Sequence, residues 1–295
     1  MSAATKKTPF HMDAPGLRLL RQTFRNRSAQ FGGLLLLILI LACLAAPLLT
    51  NKDPNAIDPG LTLQPPSLKY PMGTDGIGRD TFARFLYGGR LSLRVGLVAI
   101  GIGAFFGICL GLISGYFGGW LDAFISWITD ILLAFPDILL ALAILAILGP
   151  GIINAMVAVG IAFIPSFMRL TRSSVLSIRE MSYVEATRAL GGSDFQIMIN
   201  HILPNAMRTL LVLVTLGIGS SILAGAALSF LGLGAQPPTP EWGAMLNAGQ
   251  KFVRQAWWLT VFPGLGIFLT ILAINLIGDA ISDAVAGTIY MPEKE

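Results

Sequence analysis

Charge is what this sequence has least of. Asp, Glu, Lys and Arg together make up 12% of its 295 residues, about half the share in an ordinary soluble domain. With 54% hydrophobic residues and a mean hydropathy of +0.73, the chain could not cover itself with polar surface in water, which argues against a soluble enzyme or a nucleic-acid binder. Cysteine is nearly absent: Cys43 and Cys109 both lie inside apolar runs, so there is no disulfide framework. Histidine is as scarce, and His11 and His201 cannot assemble a His-rich metal centre; no H-E-x-x-H or Cys cluster offers another. No G-x-x-x-x-G-K-[ST] loop is present, so the chain is not expected to hold ATP phosphates itself. An intramembrane serine protease needs a serine and a histidine facing each other, but Ser220 and Ser221 sit in an apolar run and His201 in a loop. The net charge of +4 therefore speaks of membrane topology, not of a nucleic-acid partner.

What the chain does have is long runs without charge, at 28–51, 95–121, 138–168, 209–240 and 255–278. A helix needs about 20 apolar residues to cross a bilayer. Gly149-Pro150-Gly151 breaks the third run as a tight turn, and apolar sequence extends upstream of it from Ala123 through Asp130 to Asp137. Spans are therefore expected near 31–49, 92–115, 123–148, 152–170, 207–233 and 257–281, giving an all-α integral membrane protein of six transmembrane helices. The first run could also be read as a signal peptide, with an apolar region at 34–44 and small residues at 42–46; its span length and long basic lead favour a retained helix.

Orientation follows from the basic residues. Lys6, Lys7, Arg18, Arg21, Arg25 and Arg27 precede the first span against the single acid Asp13. With that end inside, the loop after the fourth span and its flanks add Arg169, Arg172, Arg179, Arg188 and Arg208, and the C-terminal tail adds Lys294. Lys52, Lys69, Arg79, Arg84, Arg90, Arg94, Lys251 and Arg254 fall outside. The bias is modest and places both termini in the cytoplasm.

Several helix faces carry a pattern. Gly103, Gly107, Gly111, Gly115 and Gly119 recur every fourth residue and form a groove for close backbone approach, against a sister helix in preference to a second subunit. Asp130 and Asp137 are seven apart, hence on one face of the third span, and Asp279 and Asp283 are four apart near the end of the sixth. Acids at such positions serve a proton or cation path, or cap and hydrogen-bond helix ends; the second reading is preferred. Outside, 75–80 is a turn-rich charged segment without the context of a dinucleotide fingerprint. Arg84, Arg90 and Arg94 suit an amphipathic interfacial helix leading into the second span. Pro237, Pro238 and Pro240 stiffen the last outside loop, while Trp242, Trp257 and Trp258 suit a headgroup boundary.

The inside loop at 171–204 is punctuated more sharply. Ser182 and Glu185 have capping-box spacing, a two-turn helix runs from Tyr183 to Leu190, and Gly191-Gly192 suits a left-handed stop. Ser193 and Gln196 repeat the box, and a second short helix reaches His201 before Pro204. Tyr183, Ala186 and Leu190 share one face, which packs either on a partner or back against the membrane helices; spacing alone leaves both open.

Glu185-Ala186-Thr187-Arg188-Ala189-Leu190-Gly191, with Leu203-Pro204 following, resembles the EAA loop of permease subunits in bacterial ABC importers. Met72-Gly73-Thr74-Asp75 with Gly78-Arg79-Asp80, Gly115-Tyr116-Phe117-Gly118-Gly119, the 230–243 segment and Asn275-Leu276-Ile277-Gly278-Asp279 resemble one branch, the second (C-type) permease of dipeptide/oligopeptide/nickel systems. Thr187 departs from the pattern's alanine, and His201 from a position usually aliphatic. The resemblance implies a type I ABC importer permease fold, with a cytoplasmic tail at 1–30, a first helix at 31–50, a periplasmic segment at 51–90, a shared core at 91–285 and a C-terminal tail at 286–295. It implies a non-catalytic subunit of the bacterial inner membrane that moves small peptides, or else nickel chelates or glutathione-type peptides. The implied partners are a second homologous permease, two ATPase subunits that hold the ATP and Mg, an extracytoplasmic solute-binding protein and membrane lipid. Tyr183, Glu185, Ala186, Arg188, Ala189, Leu190 and Gly191 would then couple to the ATPase. From a different class, a cation-coupled secondary transporter would use Asp130 and Asp137.

Overall fold

In the computed structural model, residues 22–289 are described. The basic residues Lys6, Lys7, Arg18, Arg21 and Lys294, on which much of the expected orientation rests, lie outside them. Among the described residues the chain is helical and has no strand, only an isolated bridge between Thr74 and Asp80.

The first span is α1 (Arg27–Leu44), followed by the single turn α2 (Ala46–Leu49). The second is longer than its apolar run requires. α3 (Thr81–Phe117) has 37 residues, roughly 55 Å at the α-helical rise. It starts where Asp80 Oδ1 accepts from Ala83 N at 2.8 Å. The segment expected as a separate interfacial helix is thus the first turns of this span. Its arginines are used structurally: Arg90 donates to the carbonyls of Cys43 at 2.6 Å and Leu44 at 2.7 Å, supplying a cation to the orphan acceptors at the end of α1.

The span expected near 123–148 is not one continuous helix. The chain leaves α3 through Gly118 and Gly119, both at positive φ, and forms α4 (Gly119–Leu133) and α5 (Asp137–Leu148), bent by 96°. Pro136 accounts for the break, since its ring disfavours a helical residue before it and it has no N–H to continue the ladder. Gly149 and Gly151, also at positive φ, turn the chain into α6 (Ile152–Arg179). After the loop come α9 (Leu203–Phe230), the short α10 (Trp242–Gly249) and α11 (Trp258–Ile289). Among the described residues, five helices are long and apolar enough to cross a membrane, and the bent α4–α5 pair makes a sixth candidate.

The glycine stripe explains how α3 and α6 pack. A Cβ at Gly103 would lie 2.7 Å from Phe163 Cβ, one at Gly107 2.7 Å from the Ile164 carbonyl, and one at Gly115 2.8 Å from Val175 Cβ. At Gly111 it would stand 2.6 Å from Thr171 Cβ. The close approach is therefore within the chain, helix on helix. Gly119 does not belong to the groove: it follows the helix break and meets nothing within 4 Å.

Candidate functional site

The loop between α6 and α9 contains α7 (Ser182–Ala189) and the single turn α8 (Asp194–Ile197). Its start differs from the sequence expectation. Met181 is the N-cap, with no side-chain cap bond, and its carbonyl receives both Val184 N at 2.9 Å and Glu185 N at 3.2 Å. Ser182 falls inside the first turn, one residue too late to cap it, so the Ser182–Glu185 box does not form. At Ser193 the box forms on one side, with its hydroxyl accepting from Gln196 N at 3.3 Å.

The end of α7 is built on its glycines. Gly191 N donates to Arg188 O and Gly192 N to Thr187 O, each at 3.0 Å, with Gly191 at φ +84°. These are the paired 5→2 and 6→1 bonds of a Schellman stop. Beyond α8 the expected separation from the next span is absent. Residues 198–202 form a π turn that runs straight into α9, with Leu203 N donating to Met198 O. Pro204 lacks the N–H a regular ladder needs, and a widened turn accommodates that loss.

One side of the loop is fixed to the bundle. Val184, Ile197 and Ile202 are fully buried in a cluster with Tyr116, Phe167, Val175, Ile178 and Leu210. The Tyr116 hydroxyl donates to Asp194 Oδ1 at 2.6 Å and accepts from Arg188 Nη2 at 3.4 Å, so the last turn of α3 joins both short helices. That hydrogen bond, with the Asp194 and Glu185 carboxylates behind it, holds the Arg188 guanidinium above its ordinary pKa. Asn205 Nδ2 donates to Tyr183 Oη at 3.2 Å, tying α7 to α9 as well. Deeper in, Arg172 grips Asp122 in a two-pronged pair at 2.5 and 2.7 Å, and Arg179 Nη1 donates to the Gly115 carbonyl at 2.8 Å.

The other side is uncovered. Leu190 is 89% exposed, Phe195 71% and Tyr183 39%, and Ala186, Glu185, Arg188 and Ala189 are exposed beside them. The face shared by Tyr183, Ala186 and Leu190 is therefore open at Ala186 and Leu190, while Tyr183 at its edge also touches α9. A rigid apolar face with a charged rim, held from behind by three buried side chains, can receive and pass on a mechanical displacement.

The bend puts Asp130 in α4 and Asp137 in the first turn of α5, so they do not share a helix face. Asp130 forms an exposed ion pair with Arg169, and Asp279 and Asp283 are exposed on α11. Among the described residues no group of His, Cys, Asp and Glu could hold a metal ion.

At the opposite end of α3 lies a constellation that sequence reasoning missed. Glu241 is 1% exposed, caps α10 by accepting from Gly243 N at 3.0 Å and Ala244 N at 2.9 Å, and accepts from Ser92 Oγ at 2.8 Å. Ser92 Oγ in turn accepts from Trp242 N, and Trp242 Nε1 donates to Phe85 O at 3.0 Å. Arg84, buried, donates from Nη1 to the carbonyls of Pro54 and Pro238. An acid directly before an apolar helix is a legible capping signal. Its partner 149 residues away is not.

Apolar helices of membrane-spanning length, joined by an ordered loop that is uncovered on one face, mark a multi-pass membrane protein. The chain belongs to the family described as the binding-protein-dependent transport system inner membrane component, whose model matches residues 107–289. Residues 15–66 match the N-terminal transmembrane domain of oligopeptide transport permease C. Within that family it is a C-type permease subunit of the dipeptide/oligopeptide/nickel ABC importers. It is 47% identical to the dipeptide transport system permease protein of Alkalihalophilus pseudofirmus, over 92% of this chain and 89% of that one. It is 44% identical to the glutathione transport system permease protein of Pectobacterium atrosepticum, over 92% and 90%. The di/tripeptide transport system permease protein of Pseudomonas aeruginosa is also 44% identical, over 89% of each chain. Among solved structures, the inward-facing MetNI methionine ABC transporter aligns with a TM-score of 0.56 at 23% identity, covering 70% of this chain and 97% of that one. The fold is that of a type I ABC importer permease.

Proposed function

We propose that this subunit moves di- and oligopeptides across the bacterial cytoplasmic membrane as half of a permease pair. Both termini and the 181–202 loop face the cytoplasm, where two ATPase subunits hold ATP and Mg. A solute-binding protein delivers peptide at the other face. The peptide substrate follows from the relatives named for dipeptide and di/tripeptide transport; the glutathione relative fits the same chemistry, since glutathione is itself a small peptide. One observation carries the proposed coupling: Val184 is buried under α7 while Leu190, on its open face, is 89% exposed.

In this reading Tyr183, Ala186, Ala189 and Leu190 seat against the ATPase, with Glu185 and Arg188 at the rim and Gly191 fixing where the helix ends. ATP-driven closure of the ATPases displaces α7. Val184, Ile197 and Ile202 pass that displacement into the cluster beneath, and the Tyr116 bridge carries it into α3. Because α3 and α6 interlock through their glycines, they shift together, rocking the core at 91–285 between inward- and outward-open states. This chain contributes no catalytic group.

The test is uptake of a labelled dipeptide by vesicles holding the complete importer and its binding protein. Uptake is expected only with ATP inside and the ATPases present; in vesicles holding the permease pair without ATPases, a thiol probe on Leu190→Cys in a Cys109→Ser background is expected to react only from the cytoplasmic side. Uptake without ATPases, or labelling of Leu190→Cys from outside, would overturn the reading.

A further inference from the structure

A cavity of about 170 Å³ opens at the end of the molecule opposite the 181–202 loop, between the 75–79 turn, the first turn of α3 and the connection from α10 to α11. Asp75, Arg79 and Arg84 line it beside apolar Ile77, Phe252 and Leu259. Arg79 Nε donates to Asp75 Oδ2 at 2.6 Å, and Arg84 Nε stands 3.8 Å from the same oxygen. One carboxylate faces two guanidiniums, so the lining keeps one positive charge in excess. Thr81 lines the same cavity, is 1% exposed, and its Oγ1 has no hydrogen-bond partner. A buried hydroxyl without a partner is costly, and most such groups in folded proteins are satisfied. The hydroxyl can donate or accept; beside guanidinium donors, a group that enters to receive from them would serve as its acceptor too.

We propose that this cavity binds a single carboxylate, which accepts from the Thr81 hydroxyl and the Arg79–Arg84 pair while its apolar neighbour rests on Phe252 and Leu259. The charge excess matches a carboxylate better than a phosphate, which carries about −1.5 to −2, and the planar guanidinium suits two-oxygen recognition. The apolar wall selects a carboxylate attached to a hydrophobic group over free bicarbonate or acetate. Resting on the proposed orientation, the carboxylate reaches the site from outside the cell, as the C-terminus of an arriving peptide or as an acidic side chain of the binding protein.

The test uses the assembled importer in lipid nanodiscs, with N-acetyl-leucine and the uncharged N-acetyl-leucinamide as probes of thermal stabilisation. The acid is expected to stabilise and the amide not. Thr81→Val, which removes only an unpaired hydroxyl, should unfold like the wild type yet bind the acid roughly tenfold more weakly; Arg79→Gln should weaken it in the same direction. Equal responses to acid and amide, or unchanged affinity in Thr81→Val, would overturn the site. The source is separated by transport: a raised KM for a free-acid dipeptide with unchanged binding-protein docking assigns the carboxylate to the peptide. Weaker docking of loaded and empty binding protein alike assigns it to that protein. If neither moves, the proposal fails. Absence of ATP-dependent uptake by the wild type would sink the transport reading and leave the binding measurement standing.

Discussion

The two ends of α3 are held in opposite ways. At its first turns, buried polar groups knit distant segments together: Arg84 reaches residues 54 and 238, and Glu241 joins Ser92 to the start of α10. At its last turn, the 181–202 loop is held by three buried aliphatic side chains and a hydrogen-bonded tyrosine, with its outer face bare. Polar networks fix one geometry because every broken bond leaves a desolvated group behind. The loop end rests instead on aliphatic packing and a few part-buried or exposed hydrogen bonds, so it can move together with the cluster beneath without orphaning a buried polar network. The contrast separates a clamp from a lever, and substitutions at the two ends should fail differently.

The largest loss of stability is expected at the clamp. Glu241→Ala would leave the Ser92 hydroxyl proton, Gly243 N and Ala244 N without their acceptor, while Ser92 Oγ keeps its bond from Trp242 N, costing about 3 kcal/mol. Thermal unfolding of the purified protein in detergent should show it, and Glu241→Gln should recover part of the loss. Next comes Gly107→Val, where the new Cβ would meet Phe167 Cβ and stand 2.7 Å from the Ile164 carbonyl. Forcing α3 from α6 costs about 2 kcal/mol and should lower transport and stability together. A variant that unfolds normally but does not transport would show that the groove is not the rigid joint described.

Much of this architecture was legible, and the misses share a cause. The glycine stripe, the turn at 149–151 and the stop at 191–192 were readable because each depends on residues close in sequence and on glycine's lack of a side chain. The bend between α4 and α5 has no hydropathy signal, because Ala134-Phe135-Pro136 continues the apolar run and only the helix-breaking chemistry of Pro136 marks it. Ser182 has the spacing of a cap, but a box pattern fixes spacing and not which residue carries the first helical carbonyl, here Met181. The Tyr116 bridge to residues 188 and 194 and the Glu241–Ser92 pair had no local signal at all. Spacing leaves the loop's open face undecided, the family resemblance points it to a partner, and burial leaves Ala186 and Leu190 uncovered.

Smaller effects on folding sharpen the lever. Gly191→Val places a branched residue at φ +84° with nothing within 4 Å. Its cost is therefore backbone strain alone, about 1–2 kcal/mol. Membrane insertion should be normal and peptide uptake lost, because the Schellman stop fixes where α7 ends. Uptake that stays tightly coupled to ATP hydrolysis would detach the glycine from coupling.

The smallest change in stability should belong to Leu190→Glu. Its side chain is 89% exposed and anchors nothing in the described structure, so thermal unfolding of the isolated subunit should move by no more than about 0.5 kcal/mol. Yet this is the apolar tip of the open face, and a carboxylate there would have to be desolvated against the ATPase. Association of the ATPases, followed by co-purification, should fall sharply while Val184→Ala, behind the helix, lowers stability first. If Leu190→Glu assembles and transports like the wild type, the exposed face of α7 is not the one that is pushed, and the two ends of α3 would differ in rigidity without differing in function.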